Sequence, residues 1–397
     1  MLNLLKKDKN LTIIALIAIV NALGYGIIIP ILYSYSKQFG LSDFQNGLLF
    51  ALFSLCQFFS TPIIGRLSDK YGRKPLLTLS IAGTAVSFLI MAFAPSALFL
   101  FIARALDGIT AGNIPVALAV ISDTATDDNR THAFGIISAA FGFGFVFGPA
   151  ISAFTVGFSA AVPFIIAAVV SLIAVVVTAL FLPETNKHIG EVKAGKVFDF
   201  KRLWHALFDP NVGATFVITL FYFLAFACAL IYGFQPFTKE VLHISTAQNA
   251  ELFTLFGAVG LVSQIFLVHR IAKKMGTKRA FAFGLGATGV AMFIMFLSRS
   301  LILFVVASVI LGLVNGIAQT LIPAILSQET DEKSQGSVMG LNASYQSIGM
   351  IVGPILGGIL ATKYIALPFL AGSVFMGLCL LLSSQVMRPG VKKESAF

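Results

Sequence analysis

Charged residues are scarce in this chain. They make up 11% of its 397 residues, whereas 57% are hydrophobic, and an ordinary soluble domain carries about 25% charged residues. A water-soluble fold of this length would lack the polar groups needed to cover its surface. The composition therefore excludes an ordinary soluble domain and predicts a protein embedded in a membrane.

Cysteine and histidine are also few. The three cysteines, Cys56, Cys228 and Cys379, lie inside apolar stretches without metal-ligand spacing, which favours small core residues over a disulfide framework. The histidines lie in loops or at the ends of apolar stretches, and no nucleophile is paired with a base. We therefore predict that the protein is not an enzyme and binds no metal or cofactor.

The formal net charge is +10, yet the basic residues do not gather in one segment. They fall between hydrophobic runs, whereas nucleic-acid binding needs them together on one folded face. We therefore predict no nucleic-acid partner.

Twelve apolar segments are long enough to cross a bilayer, which takes about 20 residues in a helix. Backbone groups in lipid must be satisfied within the segment, so each segment is predicted to be helical. In chain order, spans 1 to 12 are residues 11–34, 44–64, 75–94, 97–121, 133–157, 160–182, 213–236, 249–268, 280–297, 301–326, 336–361 and 365–386.

The distribution of Lys and Arg predicts the orientation, because basic residues are retained on the cytoplasmic side. With a cytoplasmic N-terminus, only Lys37, Lys239, Arg299 and Lys363 fall in outside loops, and Arg104 lies within span 4. We therefore predict that both termini are cytoplasmic. The expected location is the plasma membrane, in bacteria the inner membrane.

The two halves of the chain resemble each other. Residues 65–74, after span 2, recur in weaker form as residues 269–278, after span 8. Because six spans separate the copies, both halves share one orientation, as in a parallel repeat about an axis along the membrane normal. We therefore predict an all-α integral membrane fold of two six-helix bundles related by pseudo-twofold symmetry. The predicted parts are an N-terminal bundle at 1–182, a cytoplasmic linker at 183–210, and a C-terminal bundle with a short basic tail at 211–397.

A second repeat consists of small residues and proline in spans 5 and 11. Glycine lets helices approach closely, and proline permits bending. We interpret the two sets as matched gating seams, with packing alone as the alternative. The residues are Gly144, Gly148 and Pro149 in span 5, and Gly349, Gly353 and Pro354 in span 11.

The linker contains apolar residues at helical spacing with basic residues between them. Phe200, Trp204 and Phe208 recur every four residues, and Lys201 and His205 follow the first two. The pattern fits a short amphipathic helix on the cytoplasmic membrane surface. A linker without regular structure is the alternative.

Glycines and charged residues cluster at the membrane boundary after span 2. The members after span 2 are Gly65, Asp69, Gly72 and Arg73, and Asp123 lies at the predicted cytoplasmic end of span 4. Asp69 can accept from the free amides of a helix N-terminus, and Arg73 can pair with a carboxylate such as Asp123. The cluster predicts a latch that holds one conformation shut. The alternative is a set of cations that only satisfies the positive-inside rule.

Three motifs carry a resemblance to a known family. Residues 65–74 fit GxLxDxxGRK, which resembles the signature loop of the major facilitator superfamily, and Arg104 with Gly108 resembles its fourth-helix motif. Residues 144–149 resemble the GxxxGP motif of its 12-spanner drug:proton antiporters. Within that group, the chain is similar to tetracycline efflux proteins and their multidrug relatives. The resemblance implies the major facilitator fold and secondary transport of a small molecule.

Three positions depart from the tetracycline pattern. Asn21, Ser87 and Ala287 stand where the tetracycline proteins carry intramembrane aspartates. The departures predict a substrate other than tetracycline. They also leave Asp107 as the one carboxylate clearly inside a span.

Arg104 and Asp107 form a charged pair within span 4. A charge at bilayer depth costs at least about 2.5 to 3.5 kcal/mol, so both side chains should face protein or a watery cavity. Three residues apart, they lie on one helical face and can pair. We predict that Asp107 carries the coupling proton with Arg104 as its partner, and a permanent structural ion pair is the alternative.

Polar and aromatic residues scattered in the spans predict a substrate cavity, because the superfamily fold places spans 1, 4, 7 and 10 around it. As a set they describe an apolar cavity with a few donors and acceptors. The members are Asn21, Gln57, Asn113, Phe141, Phe221, Tyr222, Phe226, Tyr232, Asn315, Gln319, Asn342, Tyr345 and Gln346.

The leading functional hypothesis is a secondary active transporter that exports a moderately hydrophobic organic compound or drug by proton antiport and alternating access. Its expected partners are the small-molecule substrate, protons and membrane lipid, and we expect a monomer. One alternative is an importer or uniporter of a nutrient or metabolite on the same fold. Another is a lipid-handling or receptor-like membrane protein.

Overall fold

The computed structural model describes residues 9–124, 127–186, 189–190, 198–331 and 334–387. Within these ranges, the side chains at 9–10, 113–114, 127–134 and 137–138 lie outside the described part. All regular secondary structure in the described residues is helical.

In the first half, most predicted spans correspond to one helix each. Span 4 is divided into two helices, and a short helix follows span 1. The helices are Lys9–Ile28, Leu32–Lys37, Asp43–Tyr71, Arg73–Ala92, Ala97–Thr110, Asn113–Thr124, Asp127–Thr155 and Val162–Phe181.

The second half begins with the linker helix, Phe200–Ala206. Spans 7 and 8 each contain a π-helical segment, a distortion often found at functional sites. Span 7 consists of Gly213–Phe226, Ala227–Gly233 and Phe234–Glu240, and span 8 of Thr246–Val262, Ser263–Leu267 and Val268–Met275. Spans 9 to 12 are Thr277–Leu297, Leu301–Gln328, Gln335–Lys363 and Leu367–Val386.

Eleven helical segments of the described residues are long and apolar enough to cross a membrane. Predicted span 5 is represented by Ala139–Thr155, a shorter apolar part of the helix Asp127–Thr155. The all-α membrane class is confirmed. The count of twelve spans stays a prediction that lies close to the observed number.

Several helix boundaries differ from the predicted ones, among them the start of span 5 and the ends of spans 1, 2 and 8. Span 1 was predicted to continue to residue 34, but its helix ends at Ile28, because Pro30 lacks an amide hydrogen and clashes with the preceding turn. Span 2 continues past its predicted end at residue 64 as far as Tyr71. Most of the signature loop is therefore helical, and only Gly72 separates span 2 from span 3.

The chain divides into two units, and both are discontinuous in sequence. The first takes in the described residues of Met1–Leu41, Leu52–Val197 and Ser245–Thr254, and the second those of Ser42–Ala51, Phe198–Ile244 and Leu255–Phe397. In the first unit, span 1 packs on span 5 and span 3 on span 6; in the second, span 7 packs on spans 11 and 12. The boundary predicted at residues 183–210 stays a prediction.

Glycines form close helix contacts in each unit. A Cβ on Gly148 would lie 2.8 Å from the Cα of Gly26 in span 1. A Cβ on Gly353 would lie 2.8 Å from the carbonyl oxygen of Leu224 in span 7. Pro149 and Pro354 lie inside the same two helices. The repeated motif therefore produces an equivalent close contact in both units, and its gating role stays a prediction.

Candidate functional site

A buried ion pair lies on the helix Ala97–Thr110 of span 4. Arg104 Nη1 and Asp107 Oδ2 are 3.5 Å apart, and their side chains are 4% and 9% exposed. The pair forms because residues three apart in a helix share one face. The guanidinium also lies over the ring of Phe53 in span 2, with 4.5 Å between its central carbon and the ring centroid.

The surroundings of the pair come from several spans of the first unit. Tyr25 of span 1 lies with its ring centroid 6.0 Å from that of Phe53 and 5.9 Å from that of Phe145 in span 5. The Thr84 side chain of span 3 interacts with Asp107. One carboxylate and one guanidinium are therefore held in a largely apolar environment with few alternative partners.

Gly108 explains the spacing of the fourth-helix motif. A Cβ at this position would lie 2.4 Å from the carbonyl oxygen of Phe53 and 2.7 Å from the Cβ of Cys56. The Ser60 hydroxyl donates to the Gly108 carbonyl at 2.9 Å. Arg104 and Gly108, four residues apart, therefore share the face on which span 4 meets span 2, and the missing side chain lets Phe53 approach the guanidinium.

The predicted latch residues form a network at one end of the first unit. Arg73 Nη1 lies 2.7 Å from Asp69 Oδ1, and Arg73 Nε lies 3.2 Å from Asp123 Oδ2. Arg73 Nη1 also donates to the Ser68 hydroxyl at 2.6 Å. Gly65 faces open space, since a Cβ there would have no neighbour within 4 Å. The structure brings Asp69, Arg73 and Asp123 together, and their role as a latch stays a prediction.

Glu184 belongs to the same network, although the sequence analysis did not identify it. Its carboxylate accepts from the backbone amides of Arg73 at 2.9 Å and Lys74 at 3.1 Å. Gly72 has a φ of 103°, and a Cβ there would lie 2.3 Å from Glu184 Oε2. Glu184 therefore satisfies the free amides at the start of span 3, where a negative charge is favoured by the helix dipole. The signal in the sequence was an acid directly after span 6.

The second unit contains a related ion pair. Lys278 Nζ, in the second copy of the signature loop, lies 3.2 Å from Glu329 Oε1 and donates to the Val386 carbonyl at 2.6 Å. Glu329 follows span 10 as Asp123 follows span 4. Burial raises the pKa of the Glu329 carboxyl, and hydrogen bonding to Lys278 opposes that shift. The weak sequence similarity of the second loop did not predict this pair.

Several predicted cavity residues are buried and hydrogen-bonded within the second unit. The Tyr222 hydroxyl donates to Asn315 Oδ1 at 2.8 Å, and the Thr219 hydroxyl donates to Asn342 Oδ1 at 3.0 Å. The Tyr232 hydroxyl donates to the Asp43 carbonyl at 2.8 Å. The hydroxyl of Tyr345 donates to the Leu203 carbonyl of the linker helix. These tyrosine hydroxyls already have acceptors in the described conformation.

The other predicted cavity residues are at least partly accessible or fall outside the described part. Gln319 is exposed, and a further six are half-buried: Asn21, Gln57, Phe141, Phe221, Phe226 and Gln346. The side chain of Asn113 lies outside the described residues. Gln264, which was not among the predicted cavity residues, is exposed in the π-helical segment of span 8, and a Cβ on Gly316 of span 10 would lie 3.2 Å from its Cγ.

A separate cavity of about 290 Å³ lies in the first unit. Its polar lining residues are Ser34, Tyr35, Gln38, Ser245 and Thr246. None of the predicted substrate residues lines it, and the Tyr35 hydroxyl donates to the Met91 carbonyl at 2.8 Å.

Comparison with known proteins identifies the family. The sequence model of the Major Facilitator Superfamily matches residues 14–267 and 215–396. The chain is 31% identical to the class B tetracycline resistance protein of Escherichia coli, over 98% of this chain and 100% of that protein. It is 29% identical to multidrug resistance protein 2 of Bacillus subtilis (strain 168), over 94% of each chain.

Solved structures share the fold at lower identity. A crystal structure of a bacterial homologue of the human lysosomal transporter Spinster matches with a TM-score of 0.79 at 15% identity. It covers 96% of this chain, which covers 97% of that structure.

The chain belongs to the Major Facilitator Superfamily, and the resemblance stated from its motifs is confirmed. It is a multi-pass membrane protein whose family and fold are those of a transporter. Its relatives include tetracycline and multidrug resistance proteins.

Proposed function

We propose that this transporter exports a moderately hydrophobic organic compound and couples export to proton entry through Asp107. The observation that carries the proposal is the buried pair of Arg104 and Asp107, 3.5 Å apart, in the first unit. We further propose a bacterial inner-membrane location with both termini cytoplasmic, and a monomer that works by alternating access.

The chemistry of the pair supports proton coupling. A proton on Asp107 removes the carboxylate charge and leaves Arg104 as an unneutralised cation, so protonation changes the net charge of the buried site by one. Charges inside a membrane are costly and mark ion pathways by default. Two conformations that hydrate Asp107 from opposite sides of the membrane would let it bind the proton on one side and release it on the other.

The accessible residues of each unit support the substrate class. The first unit offers the amide of Gln57 and the ring of Phe141, and the second offers the amides of Gln319 and Gln346 and the ring of Phe226. Within each unit, this mixture suits a largely apolar compound with a few polar groups. The named relatives act in resistance to tetracycline or to several drugs, and Asn21, Ser87 and Ala287 favour a substrate other than tetracycline.

Transport by the purified protein in liposomes with an imposed pH gradient tests the coupling. The Asp107→Asn variant keeps the size of the side chain but cannot titrate, so we expect substrate binding to persist and the effect of the gradient to disappear. The matched control is Glu251→Gln, because Glu251 is an exposed acid at the start of span 8. Unchanged coupling in Asp107→Asn would contradict the role of Asp107.

A second candidate is an importer or uniporter of a metabolite. It is favoured by Asn21, Ser87 and Ala287. These residues stand where the tetracycline proteins carry intramembrane aspartates, so an otherwise antiporter-like chain lacks three carboxylates. Net downhill substrate transport into liposomes that contain a pH-sensitive dye distinguishes the two functions, because an antiporter moves protons in the direction opposite to the substrate, whereas a uniporter moves none. A lipid-handling or receptor-like protein stays the more distant alternative.

A further inference from the structure

One side of the linker helix, Phe200–Ala206, is attached to the second unit. Ala206 is fully buried. The Tyr345 hydroxyl of span 11 donates to the Leu203 carbonyl, and Arg202 Nη2 donates to the Ser337 hydroxyl of span 11 at 2.5 Å. The helix is therefore held against the first eleven residues of span 11, ahead of the glycine and proline positions at Gly349, Gly353 and Pro354.

The opposite side carries three exposed aromatic residues, which we call the aromatic ridge. Phe200, Trp204 and Phe208 are 58%, 63% and 71% exposed. Their spacing of four residues places them along one side of a helical segment. The Trp204 and Phe208 ring centroids are 5.6 Å apart, and the Phe200 ring stacks on that of Phe198, with 6.0 Å between their centroids. Three large aromatic side chains are therefore exposed where the second unit does not cover them.

The charges around the ridge indicate what covers it. Asp199 accepts from the Arg202 amide, and Asp209 accepts from the Asn211 and Val212 amides, so both acids face the backbone. Lys201 and His205 remain exposed. The surface thus combines aromatic rings with the exposed cation Lys201 and the exposed imidazole of His205, the composition of a segment that lies at a phospholipid surface.

The position in the chain supports the same occupant. Span 7 begins at Gly213, only a short turn after Phe208, and a Cβ on Gly213 would lie 2.5 Å from the Leu207 carbonyl oxygen. The ridge is thereby held close to the start of a membrane span. Tryptophan and exposed cations concentrate at that depth of a bilayer.

We propose that the linker helix is a membrane-seated clamp on span 11. Its aromatic ridge inserts between phospholipid headgroups, while Leu203 and Arg202 hold span 11 through Tyr345 and Ser337. Movement of span 11 past the linker helix then requires these two hydrogen bonds to break or the ridge to leave the lipid surface. The lipid surface therefore regulates the mobility of a helix that carries one of the gating motifs.

The tryptophan of the ridge makes a direct test possible, since Trp204 is the only tryptophan in the chain. The full-length protein is reconstituted into liposomes of phospholipids brominated at a shallow or a deep acyl position. We expect the shallow bromines to quench Trp204 emission by about half or more and the deep bromines to quench less, since interfacial helices lie near the headgroup boundary. Aqueous acrylamide should quench weakly.

Variants separate insertion of the ridge from general effects of removing aromatic residues. Phe200→Ser with Phe208→Ser should reduce quenching by brominated lipid and increase quenching by acrylamide. Phe154→Ser with Phe158→Ser is the matched control, because these residues are 80% and 84% exposed and also four positions apart. This control should leave Trp204 quenching unchanged.

The clamp is tested by Tyr345→Phe combined with Ser337→Ala. Lipid quenching should persist, because the ridge is intact, while the fluorescence anisotropy of Trp204 should fall as the helix loses its hold on span 11. Unchanged anisotropy would overturn the clamp. Strong acrylamide quenching without any quenching by brominated lipid in the unmodified protein would overturn membrane seating and indicate a protein-binding surface instead. Neither readout depends on transport, so failure here is distinguishable from failure of the proposed function.

Discussion

Replacement of Gly108 by alanine should separate spans 2 and 4 and disturb the buried pair. The new Cβ would lie 2.4 Å from the Phe53 carbonyl oxygen, about 1 Å closer than ordinary van der Waals contact. The obstacle is backbone, so a side-chain rotation cannot relieve it. Span 4 must move away from Phe53, whose ring lies 4.5 Å from the Arg104 guanidinium.

The expected change in the free energy of unfolding follows from two opposing contributions. Overpacking a filled interior costs about 1 to 3 kcal/mol, while replacing glycine by alanine within a helix gains up to about 1 kcal/mol. Gly377→Ala in span 12 is the matched control, because a Cβ there has no neighbour within 4 Å. The helical gain is shared by both variants. Their difference in stability therefore isolates the steric term, expected at about 1 to 3 kcal/mol.

The assay is thermal unfolding of the purified variants in detergent, followed by gradient-driven transport in liposomes. We expect Gly108→Ala to melt below Gly377→Ala and to lose most of its proton-coupled transport while the control keeps it. Equal melting temperatures and equal transport for the two variants would refute the argument that close contact at Gly108 positions Arg104 and Asp107.

Two further predictions concern the ends of the units. Glu184→Gln should weaken the cap on the Arg73 and Lys74 amides and destabilise the protein by about 0.5 to 2 kcal/mol, as for a lost helix N-cap; a melting temperature equal to that of the unmodified protein would contradict it. Because burial raises the pKa of Glu329, the folded state holds this proton more tightly than the unfolded state. Its stabilising contribution should be present below the ordinary glutamate pKa of about 4.3 and be lost as pH rises through the raised value. As pH rises over that range, the melting temperature should therefore fall more for the unmodified protein than for Glu329→Gln. An equal fall in both proteins would count against a raised pKa.

Much of the fold could be predicted because its signals are local. A bilayer requires about 20 apolar residues in each helix, and such a run is visible without any knowledge of its neighbours. Pro30 was present in the sequence as a helix breaker, but residues 11–34 are continuously hydrophobic and were therefore predicted as a single span. The extension of span 2 to Tyr71 was hidden for the opposite reason, since its last turn is polar.

The candidate site was predictable only in part. Arg104 and Asp107 are three residues apart, so their pairing follows from helix geometry alone. The contribution of Phe53 and the approach that Gly108 permits depend on how two spans pack. Glu184 is far from Arg73 in the chain, and no local pattern connects an acid after span 6 with the amides at the start of span 3.

The polar residues of the spans show the same limit. Sequence position alone made Tyr222, Asn315 and Tyr345 equivalent to Gln319 as cavity residues. The structure distinguishes them, because Tyr222 and Asn315 bond to each other and Tyr345 bonds to the linker helix. Whether a polar group is free to meet a substrate depends on its neighbours in space.

The sequence by itself determined the membrane class, the approximate positions of most spans, the repeat and the family, because hydrophobic length and motif spacing are properties of short segments. Only the tertiary structure decided that Glu184 caps span 3, that Lys278 pairs with Glu329, and that the linker helix is bonded to span 11. Each of these contacts joins segments far apart in the chain. The packing of the helices decides which residues become partners, and that packing cannot be predicted from the sequence of either segment alone.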